Sequence, residues 1–176
     1  MIEIRNLTKN ELPDIWRIDR REVIDNIYYF REGKFVLEAE HYNMQGWPPG
    51  EPEHYAPFLQ DCFERGGFFW GAFKGETLVG VAVLESKFIG SQKDTLQLKY
   101  LHVSHNVRKQ GLGRRLFFTA AEQVKGMGAT KMYISATPSE NTVNFYQYLG
   151  CVLTEEVDAE LFELEPEDIH LEYRIL

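Results

Sequence analysis

Val103-Ser104-His105-Asn106-Val107-Arg108-Lys109-Gln110-Gly111-Leu112-Gly113-Arg114-Arg115 reads as a strand end, a short loop carrying Arg-x-x-Gly-x-Gly, and the start of a helix. Glycines at 111 and 113 allow backbone to approach a ligand closely. The first turn of the helix offers unpaired N–H groups at the positive end of its dipole, a geometry that suits a pyrophosphate. Arg108, Lys109, Arg114 and Arg115 add four cationic side chains within eight residues. A Walker A loop would read GxxxxGK[ST], and a dinucleotide fingerprint GxGxxG early in a βαβ unit; neither string occurs here. Taken alone, the stretch is equally compatible with a glycine-softened loop bearing a solvated basic face.

Working outward, Leu112, Leu116, Phe117, Ala120 and Val124 form one helical stripe that ends at Gly126 or Gly128. A strand over Lys131–Ala136, a helix over Glu140–Leu149 and strands over Cys151–Val157 and Ile169–Ile175 follow, with Asp158–Asp168 as the last loop. Upstream, Leu96, Leu98 and Tyr100 alternate, and Leu101 and Val103 then switch parity, which is what a β-bulge produces. Phe68–Phe73 and Thr77–Ser86 read as strands joined by a tight turn at Lys74-Gly75-Glu76. Pro52–Arg65 reads as a helix closed by Gly66-Gly67, preceded by an irregular Gly46–Gly50 loop. Ile27–Phe30 and Phe35–Ala39 flank Gly33 as a hairpin or a helix-plus-strand insertion. Ile2 and Ile4 mark a first strand, and Thr8-Lys9-Asn10-Glu11 is a capping box opening a helix from about Lys9 to Asp19. The expected fold class is α/β (α+β): a mixed, mostly antiparallel central sheet with helices on both faces, in one domain over 1–176.

With 176 residues, 44% of them hydrophobic, the chain can build a single sizeable core. Its net charge of −8 argues against nucleic acid, which needs a cationic excess. Residues 1–154 are charge-balanced, with 18 acids and 18 bases, so the surplus lies in 155–176, where nine acids face Arg174 alone. No apolar run approaches membrane-spanning length. Met1-Ile2-Glu3-Ile4-Arg5 has no basic-then-apolar leader pattern, pointing to a cytoplasmic protein. Cys62 and Cys151 sit in apolar stretches as small buried residues, and the five histidines show no ligand spacing, so no metal is expected.

A second motif lies about thirty residues on: Asn141-Thr142-Val143-Asn144-Phe145-Tyr146-Gln147-Tyr148-Leu149-Gly150-Cys151. Together the two stretches resemble the GCN5-related N-acetyltransferase (GNAT) family. The family's cofactor loop, (Q/R)xxGx(G/A), is met by Arg108-Lys109-Gln110-Gly111-Leu112-Gly113. Its later motif, roughly N-x-x-A-x-x-F-Y-x-x-x-G-F, is met at Asn141, Phe145, Tyr146 and Gly150, with Cys151 in place of the usual phenylalanine.

The resemblance implies direct attack of an amine on the thioester of acetyl-CoA, without a covalent enzyme intermediate. It implies that Leu101, His102 and Val103 pair through backbone with the pantetheine arm, and that the loop from Arg108 and Lys109 through Gln110, Gly111, Leu112, Gly113 and Arg114 holds the pyrophosphate. It places Asn141 on the cofactor from the facing side and Tyr146 near the sulfur as proton donor. The strand before the loop lacks the carboxylate many members carry there. His102, Glu85 and a water chain to solvent remain open as routes for the amine proton.

The resemblance places the acceptor site around the first helices and their joining segment, which here holds Tyr28, Tyr29, Glu38 and Trp47. These could hold a cationic amine through ring faces and charge, or equally fill core or a homodimer contact. The acceptor is an amine-bearing small molecule or peptide. The alternative is a non-catalytic acyl-CoA-binding sensor. The Asp158–Asp168 connection is expected to overhang the acceptor side and attract a cation.

Overall fold

The computed structural model describes all 176 residues. Nine strands form two sheets: β1 (Ile2–Asn6), β2 (Glu22–Arg31), β3 (Lys34–Met44), β4 (Phe68–Lys74), β5 (Thr77–Leu84), β6 (Thr95–Val103), β7 (Lys131–Ala136), β8 (Val152–Leu153) and β9 (Ile169–Arg174). The helices are α1 (Glu51–Glu64), α2 (Leu112–Gly126), α3 (Glu140–Tyr148) and α4 (Ala159–Leu164). Seven strands make the main sheet in the order β1-β4-β5-β6-β7-β9-β8, and β2 and β3 pair separately. Only β6 and β7 run parallel; every other pair is antiparallel. The sheet is therefore mixed and mostly antiparallel, as the sequence predicts. No helix is long and apolar enough to cross a membrane.

Two cores cover the two faces of the sheet. On one side the predicted stripe of α2 (Leu112, Leu116, Phe117, Ala120, Val124) packs with Val143 and Tyr146 of α3. On the other, Leu12, Ile15, Leu59 and Cys62 cover Phe69, Phe73, Val81 and Val83. Strand β5 is buried along almost its whole length, because it lies between both layers. Cys62 and Cys151 are buried free thiols.

Several elements depart from the sequence expectation for physical reasons. The first helix is a 3₁₀ helix over Lys9–Arg17, with the capping box at Thr8 and Glu11 in place. Pro13 sits inside it and has no amide to reach back to Lys9, which an α-helix would require. The Gly33 region is a hairpin, its turn made by Glu32 and Gly33 at φ of 51° and 76°, and its strands run well beyond the apolar runs first visible. The Cys151–Val157 strand shrinks to Val152–Leu153, since β8 pairs only with two residues of the edge of β9. The last loop contains α4, capped by Asp158, whose side chain accepts from the Leu161 amide at 3.0 Å.

The bulge is real but falls two residues early. Val83 pairs with Tyr100 and Leu84 with Leu98, leaving Lys99 as the extra residue. Beyond it the sheet opens: β6 pairs with β7 only from Thr95 to Gln97, and 98–103 have no partner on that side. The strands diverge into a wedge whose mouth lies at the C-terminal ends of β6 and β7.

Candidate active site

One wall of the wedge is the free edge of β6. The Ser104 amide donates to the Val79 carbonyl at 2.8 Å, which fixes the phase of the β5–β6 ladder. Alternate residues turn opposite ways in an antiparallel pair. His102 therefore faces β5 with its backbone, while Leu101 and Val103 present theirs to the open side. Of the three residues expected to offer backbone to a cofactor, Leu101 and Val103 have theirs on the open edge, and His102 has its own paired with β5.

After a short turn over His105–Val107, whose flanking amides are largely paired, the chain presents a row of free amides. From Lys109 to Arg114, six consecutive N–H groups donate to no carbonyl, and no side chain accepts from them. Gly111 makes this possible by adopting φ of 82° as the residue before α2, and Lys109 does so at 63°. A run of orphan donors at a helix start is an anion cradle. Arg108 plays a different part from the one its charge suggests. Its Nε donates to the Val103 carbonyl at 2.9 Å and its Nη1 to the Arg21 carbonyl at 2.8 Å. The guanidinium is half-buried, and that burial lowers its pKa. It pins the loop to the strand end. Arg114, in the first turn of α2, lays its guanidinium over the Phe118 ring at 4.9 Å.

The second motif meets the first directly. A Cβ on Gly113 would lie 3.2 Å from Phe145 Cζ, so Phe145 would have to give way for any side chain at 113. Tyr146 is 6% exposed among Phe117 and Phe145. Its hydroxyl takes part in no hydrogen bond, yet no fully enclosed polar side-chain atom in the chain lacks a partner, so the hydroxyl reaches open space. Burial raises its pKa above the ordinary tyrosine value. Asn141 stands exposed in the first turn of α3, beside the Val23–Asn26 stretch of β2. Tyr148 points to solvent.

Across the sheet, Trp47 is the centre of an aromatic cluster. Its ring lies 4.9 Å from Trp16 and from His102 and 6.3 Å from Tyr100, with the Arg20 guanidinium over it at 4.9 Å. Its Nε1 donates to the Ile18 carbonyl at 3.1 Å. His102, packed beneath it, is pushed down to about 3 by burial and by the charges of Arg20 and Arg108. That imidazole stays neutral and accepts protons poorly. Glu85 is 6% exposed and gives both carboxylate oxygens to Arg65, at 2.6 and 3.1 Å. Arg65 and Cys62 hold its pKa down against the opposing effect of burial.

The hairpin residues are engaged among themselves. Tyr28 donates to Asn144 Oδ1 at 2.9 Å, tying β2 to α3. Tyr29 donates to Glu40, a contact that raises its pKa to about 12, and the Arg31 guanidinium lies 4.4 Å over its ring. Glu38 is paired with Arg31. Tyr28, Tyr29 and Glu38 thus lie apart from the Trp47 cluster.

The wedge mouth also gathers groups that sequence reasoning missed. Arg20 Nη1 donates to Glu51 Oε2 at 3.0 Å. The Tyr55 hydroxyl of α1 donates to Glu165 Oε1 at 2.9 Å, so the acidic connection folds over the first helices. Asp168, immediately before β9, is buried enough to be pushed up to about 7, with Glu165 raising it further and Arg20 opposing. Its charge is felt by Tyr55 on one side of the sheet and by Tyr146 on the other. A legible signal existed: Asp168 directly precedes the final alternating strand, so it had to sit at a strand end.

Known proteins share this framework. The uncharacterized N-acetyltransferase YjgM of Escherichia coli (strain K12) is 24% identical over 149 residues, covering 84% of this chain and 80% of its own. A Bacillus anthracis str. Ames protein solved in complex with acetyl coenzyme A superposes with a TM-score of 0.73 at 17% identity, covering 99% of this chain and 98% of that one. The PaiA N-acetyltransferase of Thermoplasma acidophilum, solved with coenzyme A, gives 0.65 at 18% identity over 99% of both chains. The sequence profile of the acetyltransferase (GNAT) family matches residues 9–151, a span that holds the β6 edge, the amide row and Tyr146, and the chain belongs to that family.

Proposed function

We propose that this protein transfers the acetyl group of acetyl-CoA directly to a primary amine of a small molecule or peptide. The observation that carries the reading is the pairing of a free β6 edge with a row of six free amides that opens the helix after it, in a chain whose Tyr146 hydroxyl has no protein partner. An extended amide-bearing arm ending in a pyrophosphate matches that pairing: Leu101 and Val103 for the arm, and Gln110 to Arg114 for the phosphates. Relatives of the same fold have been solved with acetyl coenzyme A and coenzyme A. Lys109, Arg114 and the Arg108-braced loop add positive charge where the donor is anionic, and Asn141 is assigned to the donor from the first turn of α3.

Tyr146 supplies a proton to the departing sulfur. Such assistance contributes roughly 10²–10⁴-fold, and a tyrosine with a raised pKa is protonated at working pH. Trp47, with Tyr100 and His102, walls the acceptor side. Glu85 is left out of the chemistry because Arg65 occupies both its oxygens. Tyr28, Tyr29 and Glu38 shape the hairpin that borders α3.

The absence of a carboxylate from β6 favours a second reading, a sensor that binds acyl-CoA without turnover. Release of CoA thiol from acetyl-CoA in the presence of primary amines separates the two. Acetyl-CoA should raise the melting temperature, Gly111→Glu should abolish the rise, and thiol should accumulate only with amine present. Absence of any thermal shift would sink the donor assignment.

A further inference from the structure

Acetyl transfer leaves one proton unaccounted for. An alkyl ammonium has a pKa of about 10.4 and must lose a proton before nitrogen can attack. Neither early candidate is suited: Glu85 is locked to Arg65, and His102 is packed beneath Trp47.

We propose that Asp168 is the catalytic base, receiving the proton of a cationic acceptor amine at the mouth of the β6–β7 wedge. The inference rests on the acetyl-transfer reading and extends it. Its geometric basis is the position of Asp168 at the residue before β9, whose first residue pairs with Ala136 at the end of β7. The Asp168 charge reaches Tyr55 of α1 and Tyr146 of α3, which belong to opposite faces of the sheet, as suits a residue at a strand end. The Asp168 carboxylate accepts no hydrogen bond, whereas Glu51, Glu155, Glu165 and Glu172 nearby in the chain or the site all have partners. Tyr146, which the Asp168 charge reaches, is 6% exposed and equally partnerless. A polar group that the protein leaves without a partner marks a place that a polar ligand fills.

The groups facing Asp168 from each neighbouring element are few. Arg20 follows the 3₁₀ helix, Tyr55 belongs to α1, Tyr146 to α3, and Glu165 to the connection after α4. Burial dominates the rise of its pKa, Glu165 adds to it, and Arg20 restrains it. A carboxylate titrating near neutrality is a far better proton acceptor than an ordinary one and is still ionised at mildly alkaline pH. Glu165 and Glu51, both on the acceptor side, favour a cation there.

The chemistry balances. The ammonium proton passes to Asp168 and from there to solvent. The nitrogen lone pair forms the C–N bond to the acetyl carbonyl carbon, and the C–S bond breaks with its electron pair on sulfur. Sulfur takes the Tyr146 proton, and the second proton lost by nitrogen restores Tyr146. The products are an amide, a thiol and one proton.

The whole chain serves for the test. With aspartate side chains labelled with carbon-13, one carboxyl resonance should titrate near neutrality and vanish in Asp168→Asn; titration of Asp168 in the ordinary carboxylate range, about 4, overturns the assignment. Thiol release is then followed with n-butylamine, spermidine and a lysine-bearing peptide as acceptors. Asp168→Asn should lower kcat by roughly 10²-fold or more, remove the acid limb of the pH profile, and leave the acetyl-CoA thermal shift as in the wild type. Asp168→Glu should recover part of the rate. Hydroxylamine, already neutral at assay pH, should lose far less. A wild-type rate in Asp168→Asn, or equal losses with hydroxylamine and n-butylamine, overturns the role of Asp168 alone. A wild-type protein that binds acetyl-CoA yet releases no thiol with any of these amines overturns the acetyl-transfer reading and this role together.

Discussion

Phe145 packs edge-on against Gly113 so closely that a Cβ at 113 would sit 3.2 Å from Cζ and 3.3 Å from Cε2 of the ring. The backbone at 113 is ordinary helix, so the constraint is space alone. Gly113→Ala should therefore cost about 1 kcal/mol through overpacking and tilt the first turn of α2 enough to weaken acetyl-CoA binding. Phe145→Leu in the same chain should return most of that stability. Urea unfolding of the two single variants and the double variant measures the coupling, and strict additivity would mean that the two residues do not compete for space.

Gly111 poses the opposite case: nothing lies within 4 Å of a Cβ there, but φ is 82°. Gly111→Ala should cost roughly 1–2 kcal/mol from the left-handed conformation alone. The easiest relief is to turn the peptide before α2, which removes an amide from the row of six. Titration calorimetry should show a larger loss of acetyl-CoA affinity for Gly111→Ala than for Gly111→Asn, because asparagine tolerates that conformation.

The architecture was legible in the sequence wherever one residue pattern had one physical solution. The α2 stripe, the capping box at Thr8 and the glycine after α1 each fit only one local structure, and each is found. The later motif was legible because Phe145, Tyr146 and Gly150 must share one helix and its end. What the sequence did not reveal were long-range choices. Nothing local tells that Arg108 turns back onto the Val103 and Arg21 carbonyls, or that Arg65 reaches Glu85 twenty residues away. The acidic connection stood out as charge, but Glu165 meeting Tyr55 and Asp168 meeting the wedge depend on how β9 returns beside β7.

Tyr146→Phe separates packing from chemistry. Because the hydroxyl has no partner in the protein, its removal should leave unfolding free energy within about 0.5 kcal/mol of wild type. Thiol release should nevertheless fall by roughly 10²-fold or more. The raised pKa means that no alkaline limb from this residue should enter the rate profile below about pH 10. A variant that loses stability and activity together would instead assign Tyr146 to packing.

Glu85→Gln should act on stability and spare the chemistry. Its carboxylate accepts from Arg65 and from the Ser86 amide at 3.1 Å, and its pKa is held below the ordinary value. A depressed carboxylate contributes stability above its unfolded pKa, and that contribution disappears as pH falls through the folded value. The variant should lose about 1–3 kcal/mol at neutral pH and converge with wild type in acid. A kcat unchanged within about 2-fold at saturating substrates would set Glu85 apart from residues that move protons.

Asp168 should show the reverse pH dependence. Its folded pKa of about 7 lies above the unfolded value, so the fold favours the protonated form. The stability it contributes is complete below about pH 4 and is lost as pH rises through 7. At alkaline pH the native state holds a half-buried charge that Arg20 only partly offsets and that accepts no hydrogen bond. Asp168→Asn removes that charge while keeping the shape, so its stability gain over wild type should grow with pH, reaching a few kcal/mol, on the order of 1.4 per pKa unit before solvent screening. Urea unfolding of both proteins at mildly acid and mildly alkaline pH measures the gap. A gap that stays constant with pH would show that Asp168 is solvated like a surface carboxylate. A gap that widens while turnover collapses would show a site that gives up stability to keep a base poised for the amine.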